Sequence, residues 1–252
     1  MHRLTPPKRM IRNRRTKHRC DDRRSCPSYE GSPVPMLHPV RPGKALKMQD
    51  SALDLVPARP TLPKLREAAA DCRACPLWEN ATQTVFGAGR RSSVAMFVGE
   101  QPGDREDRQG APFVGPAGRI LDDALDLAGI DRRAAYVTNA VKHFKWEPRG
   151  KRRIHAKPSW SELTACRPWL EAELAVVRPR VLVCLGATAA QALLGRQFRV
   201  TRQRGEWVES DLADHVTATI HPSAILRQRD DESRHKEMEA FVSDLKLVAS
   251  VL

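Results

Sequence analysis

The sequence predicts an α/β fold, a three-layer α/β/α sandwich around a central, mainly parallel, four-stranded sheet. Three observations predict it. Short apolar runs of the length of buried strands occur at 93–100, 134–141, 179–186 and within 215–226. Segments with apolar residues three and four apart lie between and after them. The runs end in polar, glycine-rich or proline-rich turns, and no internal repeat or GxGxxG is present.

The elements follow in order. The chain has 252 residues and a net charge of +13, and the charge is uneven. Residues 1–60 carry 14 Lys and Arg against 5 Asp and Glu, with nine of the 19 prolines. So little apolar surface cannot offset the entropy of ordering the segment. A basic, Pro-rich disordered arm is expected over 1–60, followed by one folded domain over 61–252. The arm suits nucleic acid, or it is an upstream extension with Met36 or Met48 as the true start. The sequence contains no uninterrupted apolar run of signal-peptide or membrane-span length, so a soluble, cytoplasmic protein with no membrane partner is expected.

"SVAMFVGE" (93–100) reads as a buried parallel strand running into a turn. "GPAGRILDDALDLAGI" places Ile120, Leu121, Ala124, Leu125 and Ala128 on one helical face, with Gly129 as its stop. "AAYVTNAV" (134–141) is the second strand, and 143–158 reads as a polar loop. A helix is expected over 159–177, with Ser159 as its N-cap. "PRVLVCLG" is the third strand and "ATAAQALLG" a short helix closed by Gly195. "HVTATIHPSAIL" carries the fourth strand. The last helix, 231–252, spaces Met238, Phe241, Val242, Leu245 and Val248 for burial on one side.

Ligands of such sheets bind beyond the carboxyl ends of the strands. There the sequence places Glu100 and Gln101, then Asn139, Gly186 and His221. Three of the four strand ends thus carry groups that hydrogen-bond or handle a proton. "GEQPGDREDRQGAPFVGPAG" (99–118) adds tight turns, a second carboxylate in Asp104 and an aromatic, Phe113. An asparagine has a donor and an acceptor, which match N3–H and O4 of a uracil edge. A phenylalanine supplies the stacking surface that a flipped base requires. "GKRRIHAKP" (150–158) has two readings: a solvated basic loop, or a loop that delivers His155 to something negatively charged. The six cysteines are not counted as three disulfides in a cytosolic chain. Setting Cys20 and Cys26 aside in the arm, "CRAC" with Cys166 and Cys184 is either a thiolate metal site or a set of ordinary buried cysteines.

The motifs "GEQPG", "PFVGPAG", "VTNAVKHFK" and "HPSAIL", in that order over roughly 62–250, resemble the uracil-DNA glycosylase superfamily, specifically its iron–sulfur family 4 type. The resemblance implies a doubly wound α/β/α domain, a uracil pocket and a [4Fe-4S] cluster on Cys72, Cys75, Cys166 and Cys184, the ligation such clusters use. It also implies that Gly99, Gln101, Phe113, Asn139 and Arg153 contact substrate, and that His155, Glu100, Asp104 and His221 carry the chemistry. "GEQPGD" in place of "GEAPG", together with "KRRIH", resembles the X-type (UdgX-like) branch. That likeness implies a covalent link to DNA through His155.

Cleaving an N-glycosidic bond builds positive charge at the sugar C1′. The departing uracil becomes an anion that His221 can stabilise. His155 then takes the place of the water as nucleophile, with Glu100 accepting its proton and Asp104 orienting the loop. Lys151, Arg152 and Arg153 would hold the loop against DNA phosphates, and the match of Arg153 to the family's loop arginine implies that it also holds the loop closed. The expected partner is uracil-containing DNA, single-stranded by preference with double-stranded admitted, met by a monomer in the cytoplasm and on the nucleoid. Two other readings are a conventional turnover family 4 glycosylase and a non-catalytic uracil- or single-stranded-DNA-binding module.

Overall fold

The structure, a computed structural model, describes residues 51–252. The basic arm expected over 1–60 lies outside the described residues as far as residue 50. The packed body reaches N-terminally of residue 61, because Ala52 is fully buried and its N–H donates to Ala165 O at 2.9 Å.

The chain runs α1 (Leu62–Ala70), β1 (Ala95–Gly99), α2 (Asp104–Gln109), α3 (Pro116–Ala128), β2 (Ala135–Asn139), β3 (Trp146–Arg149) and β4 (Arg152–His155). It continues α4 (Trp160–Val177), β5 (Val181–Leu185), α5 (Ala187–Leu194), α6 (Val200–Gln203), β6 (Trp207–Val208), β7 (His215–Thr219), α7 (Ser223–Leu226) and α8 (Asp231–Ala249). The main sheet has the order β2-β1-β5-β7-β6. Its first four strands are parallel and are the four expected; the fifth, β6, is an antiparallel edge. Two residues are too short to leave a period in the sequence, so β6 was not foreseen.

Successive side chains of each parallel strand point to opposite faces, and both faces are buried. Phe97, Val137 and Val183 face a core closed by Leu121 and Leu125 of α3 and Phe241 and Leu245 of α8. Met96, Val98, Tyr136, Leu182 and Cys184 face the other core, closed by Leu65 of α1 and Trp169 and Leu170 of α4. Helices therefore cover both sides of the sheet. α4 begins with a capping box, in which Ser159 and Glu162 satisfy each other's backbone N–H groups. α3 stops where Gly129 takes a left-handed conformation.

The stretch expected as a polar loop over 143–158 contains an antiparallel hairpin, β3 with β4. Gly150, at φ 60°, opens its two-residue turn, a position that favours residues without a side chain. Exposed charged residues dominate this hairpin, so it lacks the apolar alternation by which strands are recognised. It rises from the carboxyl end of the sheet and carries His155 at the end of β4.

Candidate active site

The carboxyl ends of β1 and β2 are in register at Gly99 and Asn139, the two central positions of the site. A cavity of about 790 Å³ opens above them, lined among others by Glu100, Asp104, Phe113, Asn139, His155 and His221. Six side chains from four separate stretches of sequence therefore meet in one place. Gly99 makes this possible: a Cβ there would run into Asn139 Oδ1, stand 2.8 Å from Phe113 Cζ and 3.4 Å from His221 Nε2. The glycine keeps open the space between the amide, the aromatic ring and the imidazole.

Asn139 is buried, and its carbonyl accepts from Lys142 Nζ at 2.7 Å. Lys142 also pairs with Glu173, and neither side chain has any exposure. Glu173 in turn accepts from Tyr136 Oη, Thr138 Oγ1 and the Gly87 N–H. The backbone at Asn139 is thus anchored from beneath. Among the described residues neither atom of its side-chain amide has a protein partner, which leaves one donor and one acceptor for a ligand.

Phe113 sits at φ 57°, a strained conformation for a side chain of its size. Its ring stacks near His221, with centroids 6.1 Å apart and planes at 27°. The loop is fixed by Glu106, which accepts the Gly115 N–H at 2.7 Å. His221 Nδ1 accepts the Ser223 N–H at 3.2 Å, so its proton sits on Nε2, the nitrogen nearest Gly99. Burial pushes the imidazole down to about 4, helped by the Arg227 and His155 charges, and it is neutral at pH 7. A neutral imidazole with Nε2–H turned to the pocket is a hydrogen-bond donor for a developing anion.

His155 is half exposed at the pocket edge, its Nε2 3.3 Å from Glu100 Oε1. The other carboxylate oxygen of Glu100 accepts from the Thr188 hydroxyl. Arg153, expected both to contact substrate and to hold the loop closed, makes its contacts within the protein. Its guanidinium pairs with Asp104 at 2.5 Å and Asp107 at 2.7 Å and is largely covered. Charge-assisted bonds to two carboxylates let Arg153 tie the hairpin to α2. Burial pushes the Asp104 carboxyl up, but the hydrogen bonds and charges of Arg153 and Arg108 together outweigh it and hold the group below the usual carboxylate range. Asp104 thus joins α2 to the hairpin through Arg153.

Gln101, also expected to touch substrate, spends its amide on the hairpin base. It donates to Lys145 O at 3.1 Å and Ala156 O at 3.0 Å and accepts the Lys145 N–H at 3.1 Å. Its place after a strand in a polar loop gave no sign of this, because the two backbone segments it joins are 44 and 55 residues away. Lys151 and Arg152 stand exposed at the hairpin tip. Sequence reasoning did not single out Asp107, Glu106, Thr188 or Ser223. The one available signal was the density of carboxylates in "GDRED", which supplies three of the loop clamps.

The four cysteines outside the arm are free thiols. Cys72 follows α1, Cys75 precedes a 3₁₀ turn, Cys166 lies in α4 and Cys184 in β5, all on the α4 side of the sheet. Burial raises the Cys75 thiol to about 11 and Cys166 and Cys184 to about 12, and Cys72 and Cys75 affect Cys166 as neighbouring charges. Cys72 Sγ accepts from Trp169 Nε1 and Cys166 Sγ from the Lys142 N–H, each at 3.2 Å. Among the described residues no three metal-binding side chains converge on a point that would hold a single ion. Four thiols, three of them buried and two with N–H donors, are the donor chemistry of an iron–sulfur cluster, whose polynuclear core spreads its ligands.

Comparison with known proteins gives a consistent picture. Residues 86–246 match the Uracil DNA glycosylase superfamily. The chain is similar to the type-4 uracil-DNA glycosylase of Thermotoga maritima, 38% identical over 174 residues that cover 69% of this chain and 87% of the relative. It is 34% identical to the type-4 enzyme of Sulfurisphaera tokodaii, over 66% of this chain and 76% of that one. The Archaeoglobus fulgidus type-4 enzyme is 34% identical over 187 residues, 71% of this chain and 87% of the relative.

Proposed function

The chain belongs to the uracil-DNA glycosylase superfamily, and on that footing we propose that it excises uracil from DNA and is left bound to the sugar through His155. The observation that carries the second half is the position of His155. It reaches the pocket edge on a clamped hairpin, with a carboxylate oxygen 3.3 Å from its Nε2.

The extrahelical uracil enters between Phe113 and the Asn139 amide, which offers one donor to O4 and one acceptor to N3–H. As the C1′–N1 bond breaks, its electron pair leaves with uracil, and His221 Nε2–H donates to the developing anion at O2. Glu100 takes the proton carried by His155 Nε2, and the pair released on that nitrogen forms the bond to C1′. Uracil leaves as an anion, Glu100 ends protonated, and the product is a neutral imidazole joined to the abasic sugar. Arg153, Asp104, Asp107 and Gln101 keep the hairpin in place, and the exposed Lys151 and Arg152 suit phosphate contacts that weaken with salt. Cys72, Cys75, Cys166 and Cys184 would hold a [4Fe-4S] cluster. When bound, it would cross-link α1, α4 and β5 beneath the site.

The named activity of the similar type-4 enzymes favours a second reading, turnover with water as nucleophile and Glu100 as its base. One experiment separates the two. Equal amounts of protein and uracil-containing oligonucleotide are resolved on a denaturing gel beside a uracil-release assay. A heat- and detergent-stable band for the parent protein, replaced in His155→Ser by free abasic DNA and released uracil, is the expected result. Abasic DNA in excess of the parent enzyme supports turnover, and a stable band in His155→Ser would mean that another residue makes the bond.

A further inference from the structure

The carboxylate of Glu100 has two oxygens with different partners, and the second partner has no part in the chemistry above. Oε1 faces His155 Nε2 at 3.3 Å, while Oε2 accepts the hydroxyl proton of Thr188. Thr188 is buried, as the second residue of α5, which packs against β1 and β5. We propose that Thr188 is a positioning residue that fixes the Glu100 carboxylate so that its free oxygen meets the attacking group. This inference depends on Glu100 acting as the proton acceptor for His155.

The physical case has three parts. Glutamate has several rotatable bonds, and Glu100 is only partly covered, so packing alone does not select its conformation. Its main chain is fixed, since the Glu100 carbonyl accepts the Val141 N–H at 3.0 Å, which leaves the side chain as the variable. Arg105 and Arg227 line the same cavity, and an untethered carboxylate has cations to turn towards. A hydroxyl donor on a buried helix removes that freedom. Its own proton is donated to Oε2, so it does not compete with the imidazole for the basic oxygen. A general base contributes only when it lies within reach of the proton it takes, so orientation appears in the rate of the step and not in DNA affinity.

The test uses the full chain, loaded with whatever metal it carries on purification, and a single-stranded uracil oligonucleotide. Adduct formation and uracil release are followed at several DNA concentrations with protein in excess. Thr188→Val keeps the shape and removes the donor, and Thr188→Ser restores it. The expected result is an adduct rate at saturation about 10-fold lower in Thr188→Val, with the half-saturating concentration unchanged and Thr188→Ser close to the parent. Thr188→Ala serves as a second donor-free variant should the valine fail to fold, and is expected to match it. A donor-free variant as fast as the parent overturns the inference, as does a loss confined to the half-saturating concentration or one that serine does not repair. A parent protein that forms no adduct overturns the His155 reading itself, and this inference with it. That outcome is seen before any Thr188 variant is made.

Discussion

Lys142 and Glu173 form an ion pair in which neither side chain has any contact with solvent. Lys142 bridges two regions. Its Nζ holds the Asn139 carbonyl at 2.7 Å, while its own N–H donates to Cys166 Sγ at 3.2 Å. Removing one partner of such a pair strands a charge in the interior, which is far costlier than the pair's net contribution. Lys142→Met should therefore lower stability by about 3–5 kcal/mol in urea unfolding. A loss below about 1 kcal/mol would mean that water enters the site and solvates Glu173.

The floor of the cavity gives a second expectation. Gly99→Ala places a methyl group against Asn139 Oδ1 and 2.8 Å from Phe113 Cζ, inside the space a planar base would fill. Uracil release should fall by roughly 100-fold, since displacing a bound reactant by about 1 Å costs that much. The assay is uracil release from an oligonucleotide at saturating protein. A rate within about threefold of the parent would place the base elsewhere.

The cysteines give a third. Purified protein should be brown and contain iron and acid-labile sulfide, and Cys72→Ala or Cys166→Ala should reduce both. These variants should lose solubility and thermal stability more than uracil discrimination, because the thiols lie beneath the sheet ends and none lines the cavity. Colourless protein carrying stoichiometric zinc would overturn the iron–sulfur assignment while keeping a thiolate site.

Acid pH should destabilise the fold through His143. Burial pushes this imidazole down to about 4, against a smaller pull upward from Asp107, and its Nε2 lies 2.9 Å from Thr84 Oγ1. The folded chain keeps it neutral, while the unfolded chain binds a proton below about pH 6.5. Its contribution is therefore complete above pH 6.5 and is lost as the pH falls towards 4. Between pH 7 and pH 5 the His143 share of the loss should be on the order of 2 kcal/mol, and His143→Gln should reduce the dependence by that share, leaving the part that His221, also pushed down to about 4, supplies. Urea unfolding at the two pH values measures it; an equal slope in the variant would assign the effect to other groups.

Much of the fold was legible along the chain, for a local reason. The four parallel strands bury both faces, so their residues form continuous apolar runs, and α3, α4 and α8 bury one stripe each at helical spacing. Strand ends in such a sheet are also where ligands bind, so Glu100, Asn139 and His221 are legible as candidates in the chain alone. The hairpin of β3 and β4 was not legible. Its pairing is set by a turn and by Arg153, Gln101 and their distant partners, and none of these leaves a periodic trace.

The sequence by itself determined the layers, the polar ends of the strands and the residue types offered to a ligand, because these follow from periodicity and local turn chemistry. Tertiary structure alone decided what each polar side chain does. Arg153 and Gln101 carry groups that suit DNA as well as they suit carboxylates and backbone amides. They became loop anchors because Asp104, Asp107, Lys145 and Ala156 lie within hydrogen-bond reach and satisfy them at no cost in chain ordering beyond that of the fold. Asn139 went the other way: its backbone is held by Lys142 and its amide is left without a protein partner among the described residues. A polar residue serves a ligand when the fold supplies it no other partner, and that depends on contacts between segments far apart in the chain.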